Sequence, residues 1–143
     1  MASSLQFTGS CFMYCTGKTA SQAGGSIYDV LPSSSSDRRV YGFSVVSSDN
    51  AAQIIKIYIT SATTSVPYQA ATVNIPASSG TNGIAAAVDV FSSTMCESLF
   101  QKTRDLNGRA YFNLPAGWKI QMQFSATPGA AETITTHIFG ETY

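Results

Sequence analysis

The chain has 143 residues, eight basic and eight acidic, and only 11% of it is charged. That length suits one domain with one core, and the balanced charge leaves no long-range field to steer it to nucleic acid or a charged membrane. No apolar run approaches the ~20 residues that span a bilayer, and the first thirty residues lack the basic start and unbroken apolar stretch of a secretory leader. A soluble, unsecreted protein is expected.

Residues 1–37 stand apart in composition. They are rich in Ser, Gly and Thr, with apolar islands at Phe7, at Phe12 to Tyr14 and at Ile27 to Leu31. Such a segment cannot build a core alone, yet its aromatic groups would be wasted in water. It reads as an extended N-terminal arm that docks on its own body or on a neighbour. The serine run Ser33 to Ser36 reads as a flexible joint, and residues 38–143 as the folded body.

From Val40 onward the hydrophobic period is two. Tyr41, Phe43 and Val45 share one predicted face. Ile55, Ile57 and Ile59 alternate with Lys56, Tyr58 and Thr60, and Ala71, Val73 and Ile75 follow the same rule. Ile84 to Val90 and Ala110 to Leu114 supply two more short candidates. The most regular strand sets Trp118, Ile120, Met122 and Phe124 against Lys119, Gln121, Gln123 and Ser125, and Thr133 to Phe139 supplies the last. Thr94 to Glu97 has capping-box spacing and supports at most one or two helical turns.

Turn chemistry falls between these runs. Ser48-Asp49-Asn50, Asn82-Gly83, Asn107-Gly108, Pro115-Ala116-Gly117 and Pro128-Gly129 are all reversal signals, and a tight reversal from Tyr111-Phe112 into Trp118 is expected, a type II turn if Gly117 takes the positive-φ position or the one just after it. About seven short strands without a crossover helix predict an all-β fold, an antiparallel β-sandwich or jelly roll carrying the N-terminal arm.

Catalytic and cofactor signatures are weak. Three cysteines, Cys11, Cys15 and Cys96, are an odd and sparse set that argues for synthesis in a reducing compartment rather than for a disulfide framework. With His137 as the one histidine, a closed zinc site lacks ligands, and a Ser-His-Asp set lacks a Gly-x-Ser-x-Gly elbow. Gly17-Lys18-Thr19 lacks the first glycine of a phosphate loop, since Phe12 stands in its place. Asp29, Asp37, Asp49, Asp89, Glu97, Asp105, Glu132 and Glu141 lie mostly in or beside turns and read as solubilising. No enzyme activity, metal or cofactor is expected.

Two binding readings remain. Trp118 with Tyr111 and Phe112 is a candidate sugar-stacking platform, although the phase of Trp118 with Ile120 favours a core role. Arg38-Arg39, at the junction of arm and body, is a candidate clamp for a partner's carboxylate.

The order Thr72-Val73-Asn74-Ile75-Pro76-Ala77, Gly80-Thr81-Asn82-Gly83, Asn107-Gly108-Arg109 and Leu114-Pro115-Ala116-Gly117-Trp118-Lys119-Ile120 resembles that of small virion proteins of tailed bacteriophages, namely the head decoration or cement proteins. The likeness runs from about Arg39 to Tyr143 and leaves the first 38 residues outside it. It implies a β-sandwich without an active site, made in the host cytoplasm, that binds the major capsid protein on the outer face of the virion capsid. It also implies a homo-oligomer, with a trimer favoured, and no nucleic-acid, membrane or small-molecule partner. The interface residues expected on this reading are Phe7, Phe12, Tyr14, Tyr28, Arg38 and Arg39. The alternative is a carbohydrate- or receptor-binding module of a phage tail or fibre.

Overall fold

The computed structural model describes residues 10–19, 21–90, 106, 108 and 110–143, and the backbone of residues 103 and 104. The described residues form ten strands: β1 (Ser10–Thr19), β2 (Ile27–Leu31), β3 (Arg38–Ser47), β4 (Gln53–Ser61), β5 (Pro67–Ile75), β6 (Val88–Asp89), β7 (Thr103–Arg104), β8 (Ala110–Leu114), β9 (Trp118–Phe124) and β10 (Thr133–Thr142). Sheet one has the order β1-β10-β3-β8-β7 with β6 also on β3, and sheet two the order β2-β9-β4-β5. Every pairing between strands is antiparallel. The all-β sandwich expected from the alternation is therefore the observed architecture.

The core lies between the sheets, where alternation puts one side of each strand. Ile55 and Ile57 of β4 meet Ile120, Met122 and Phe124 of β9 on one layer, and Val40, Phe43, Val45, Phe112, Ile134 and Ile138 supply the other. Each large side chain fully withdrawn from water contributes about 1.5–3 kcal/mol. The Pro115–Trp118 turn closes β8 onto β9 through the Trp118 N–H donating to the Pro115 carbonyl at 3.1 Å. Of the two placements left open for Gly117, the structure takes the first, at φ +79°, a left-handed conformation that a β-carbon would strain.

The segment read as an arm is woven into both sheets from Ser10 onward. β1 pairs along the whole of β10, and β2 pairs with β9 while burying Val30 and Leu31 in the common core. It docks on its own body, so the described residues show no domain boundary at residue 37. The serine run is held as well. The Ser34 carbonyl accepts from the Gly117 N–H at 2.8 Å, and Asp37 Oδ1 accepts from the Ala116 N–H at 2.7 Å.

Two strand readings are corrected. In β3, Gly42 pairs with Phe139 and Val40 with Gly140, so Tyr41 is an inserted bulge residue. The insertion reverses the phase, turning Tyr41 outward while Val40, Phe43 and Val45 point inward. Of the expected strand Ile84 to Val90 only Val88–Asp89 forms, and Ile84 is fully solvated in a loop. The helical hint at Thr94 to Glu97 lies outside the described residues.

Candidate interaction surfaces

Of the six residues proposed from sequence as an interface, five are described, and they differ in how far they face solvent. Phe7 lies outside the described residues. Phe12 and Tyr28 are half-buried and pack against the core of their own chain. Tyr28 tilts against Phe124 at 6.2 Å, lies under Lys18 Nζ at 4.5 Å and donates its hydroxyl to the Ala23 carbonyl. Desolvation there pushes the Lys18 pKa down, with Asp29 opposing. Tyr14 alone of the three described aromatics is solvated, 41% exposed on β1.

Arg38 and Arg39 are adjacent in a strand, so they point to opposite faces. Arg38 is 5% exposed, turned inward, with Nη2 donating to the Trp118 carbonyl at 2.9 Å and its guanidinium 5.9 Å from the Phe12 ring. Its Nε has no hydrogen-bond partner, and burial pushes its pKa down. Among the described residues it holds no carboxylate, and its side chain is turned away from solvent. Arg39 points outward between the Tyr111 and Tyr143 rings, at 5.2 and 4.5 Å, and pairs with the buried Glu141 at 3.3 Å. Tyr41, turned out by the bulge, donates to the same Glu141 oxygen at 3.0 Å. Burial, followed by that hydrogen bond, raises the Tyr41 pKa.

The outer faces of the two sheets differ in chemistry. On sheet two, Asp29 accepts from Gln121 at 2.7 Å and pairs with Lys119 at 3.0 Å, while Tyr58 donates to Gln123 at 3.1 Å. These groups satisfy one another and are wet. On sheet one, Met13, Phe139 and Gly42 lie in one row across β1, β10 and β3. Met13 is 72% exposed and Phe139 40%. The Phe139 ring rests on Gly42, where an added β-carbon would stand 1.9 Å from it. A shallow pocket of about 410 Å³ adjoins them, lined among others by Tyr41, Ser44, Ala110 and Phe139. Cys15 and His137 are neighbours in the next row, with Sγ to Nδ1 at 3.2 Å.

Strand edges differ too. β2 has five residues and a register shift, β5 starts at Pro67 and carries a bulge opposite Ile57, and β7 has two residues. β1 is ten residues long, pairs with β10 without a register shift and carries Lys18 as its one charge. Among the described residues nothing pairs with its outer edge, and Lys18 is the single edge-blunting charge it carries.

A second feature lies on the far side of the sandwich from β1. Trp118 is half-buried rather than in the core, its ring 6.4 Å from that of Tyr68 at a tilt of 34°. Together with Ile59, Leu114, Pro115 and Asn113 they line a groove of about 360 Å³. Tyr111 and Phe112, the ring partners proposed from sequence, are buried. Sequence reasoning missed Met13, Phe139, Tyr68 and the Cys15–His137 contact because each depends on a strand pairing between distant segments.

Among the described residues there is no group of three or more His, Cys, Asp or Glu able to hold a metal ion, and no helix long and apolar enough to cross a membrane. No family model and no curated protein matches the sequence. Among solved structures, the Drosophila NLP core, described for its pentamer formation and histone binding, aligns over 93% of this chain and 96% of its own. The identity is 12% and the TM-score 0.41, a likeness too distant to inform function.

Proposed function

We propose that this chain is a non-catalytic structural protein of the virion, a decoration protein that fastens onto an assembled capsid and onto copies of itself. The observation that carries the assembly reading is strand β1, a long sheet edge left unpaired among the described residues, which displays Met13 beside Phe139. An edge of this kind offers a row of backbone donors and acceptors, and the adjoining apolar row gains by being covered. Repetition over a symmetric lattice then multiplies weak contacts into firm attachment.

The phage head as the partner rests on the turn order from Thr72 to Ile120 that resembles decoration proteins. The free thiols Cys11 and Cys15, both exposed on β1, suit synthesis in a reducing host cytoplasm. A protein bound across capsid subunit boundaries stabilises them by mass action. Heads stripped of the protein and re-saturated with it should therefore release packaged DNA at a temperature that rises with occupancy, at fixed salt. Met13→Asp together with Cys15→Lys places two charges on the edge and should abolish the rise while leaving the free protein's melting temperature unchanged. An escape temperature indifferent to occupancy would remove this reading. The alternative, a receptor-binding module of a tail or fibre, draws on the Trp118–Tyr68 groove instead.

A further inference from the structure

We propose that the groove between β8 and the β4–β5 pair binds a neutral saccharide. Its walls provide the two things a sugar ring needs, aromatic faces for its C–H surface and fixed polar groups for its hydroxyls. Trp118 and Tyr68 supply the faces, tilted by 34° with centroids 6.4 Å apart, and Tyr68 is 46% exposed. Ile59, Leu114 and Pro115 complete an apolar lining, and Asn113 stands at the rim.

Three hydrogen-bonding groups there stay open among the described residues. The Trp118 indole N–H and the Tyr68 hydroxyl have no partner among the described residues, and neither has the Asn113 carboxamide N–H₂, whose oxygen accepts from the Tyr143 hydroxyl at 3.1 Å. Among the described residues no carboxylate, ammonium, guanidinium or imidazole lines the groove. A charged ligand would therefore be desolvated without compensation, whereas an uncharged polyol matches the lining. The volume of about 360 Å³ is at the small end of ligand sites, about 300–1,000 Å³. That favours a short glycan over a proline-rich peptide, which needs an extended track.

The site is preformed. The turn that presents Trp118 is tied down by four contacts beyond its own hydrogen bond. Ala116 and Gly117 donate to Asp37 Oδ1 and to the Ser34 carbonyl, Ala62 donates to the Gly117 carbonyl at 2.7 Å, and Arg38 donates to the Trp118 carbonyl. The ring is held before any ligand arrives, which lowers the ordering cost of binding. This property and the β1 edge lie on opposite sides of the sandwich, so either can fail without the other.

Trp118 is the one tryptophan of the chain, so its fluorescence reports the groove alone. The full chain is titrated with cellobiose, maltose, lactose and a proline-rich decapeptide. A saturable change with at least one disaccharide is expected. Tyr68→Ala should weaken it about tenfold without altering the melting temperature, and Tyr58→Phe, on the outer face of sheet two, should leave it unchanged. No saturable response to any of the sugars overturns the proposal, as does undiminished affinity in Tyr68→Ala. A response to the peptide alone assigns the groove to a polypeptide instead.

Discussion

Replacing Arg38 by Met should hold the melting temperature within about 4 °C, even though Arg38 is a buried charged residue. Withdrawing a guanidinium from water costs several kcal/mol. Against that stand one charge-assisted hydrogen bond to the Trp118 carbonyl, worth about 1.5–3 kcal/mol, and a cation–π contact with Phe12 at 5.9 Å, worth roughly 0.5–2 kcal/mol. The two sides nearly cancel, with Nε left unpaired and no carboxylate paired with the guanidinium among the described residues. Met keeps the unbranched stem and removes the desolvation cost, but leaves the Trp118 carbonyl short of a donor, about 1–3 kcal/mol. Arg38→Ala should fare worse, because the cavity costs about 2–4 kcal/mol, or roughly 5–15 °C. Calorimetric melts of the three proteins at one pH and salt concentration separate these outcomes. Were Arg38 half of a buried ion pair, its removal would cost about 3–5 kcal/mol, so a fall of about 10 °C or more in the Met variant refutes the reasoning.

Two further predictions test the bulge region. Because burial and the Glu141 hydrogen bond raise the Tyr41 pKa in the folded state, its stabilising effect is complete below about pH 10 and is lost as pH rises through the folded value. Tyr41→Phe should flatten the alkaline fall in stability measured by denaturant titration, and equal slopes in the two proteins would contradict the assignment. Gly140→Ala drives a β-carbon to 2.0 Å from the Arg39 carbonyl oxygen, which is backbone and cannot yield, so it should destabilise by about 3 kcal/mol or more. In Gly42→Ala the obstacle is the exposed Phe139 ring, which can swing away, and a loss below about 1 kcal/mol is expected; equal losses in the two denaturation midpoints would refute the distinction.

What could be read from sequence follows how much of each strand is buried on one face only. β9 and β4 were legible because Ile120, Met122 and Phe124, or Ile55, Ile57 and Ile59, are inside while their neighbours form a wet polar ladder. β1 was not, because an edge strand buries neither face fully and Cys11 to Cys15 therefore show no alternation. The β3 bulge is invisible for another reason. Inserting Tyr41 changes the phase without changing residue type, so Tyr41, Phe43 and Val45 kept the period of two that the backbone breaks. Serines 33 to 36 read as solvent-loving, yet what the fold uses there is the Ser34 carbonyl, which side-chain chemistry does not predict.

The two arginines illustrate how a site differs from its motif. As a dipeptide Arg38-Arg39 suggests one cationic patch, but the period of a strand divides the pair between core and surface, and each charge is absorbed by its own chain. Only 11% of residues are charged, and among the described residues Lys119 closes on Asp29 and Arg39 on Glu141. On the decoration reading proposed above, attachment would draw on shape, apolar burial and backbone hydrogen bonds. Those are the resources that Met13, Phe139 and the open edge of β1 hold, and that the outer face of sheet two, already satisfied by Asp29, Gln121 and Tyr58, has used up.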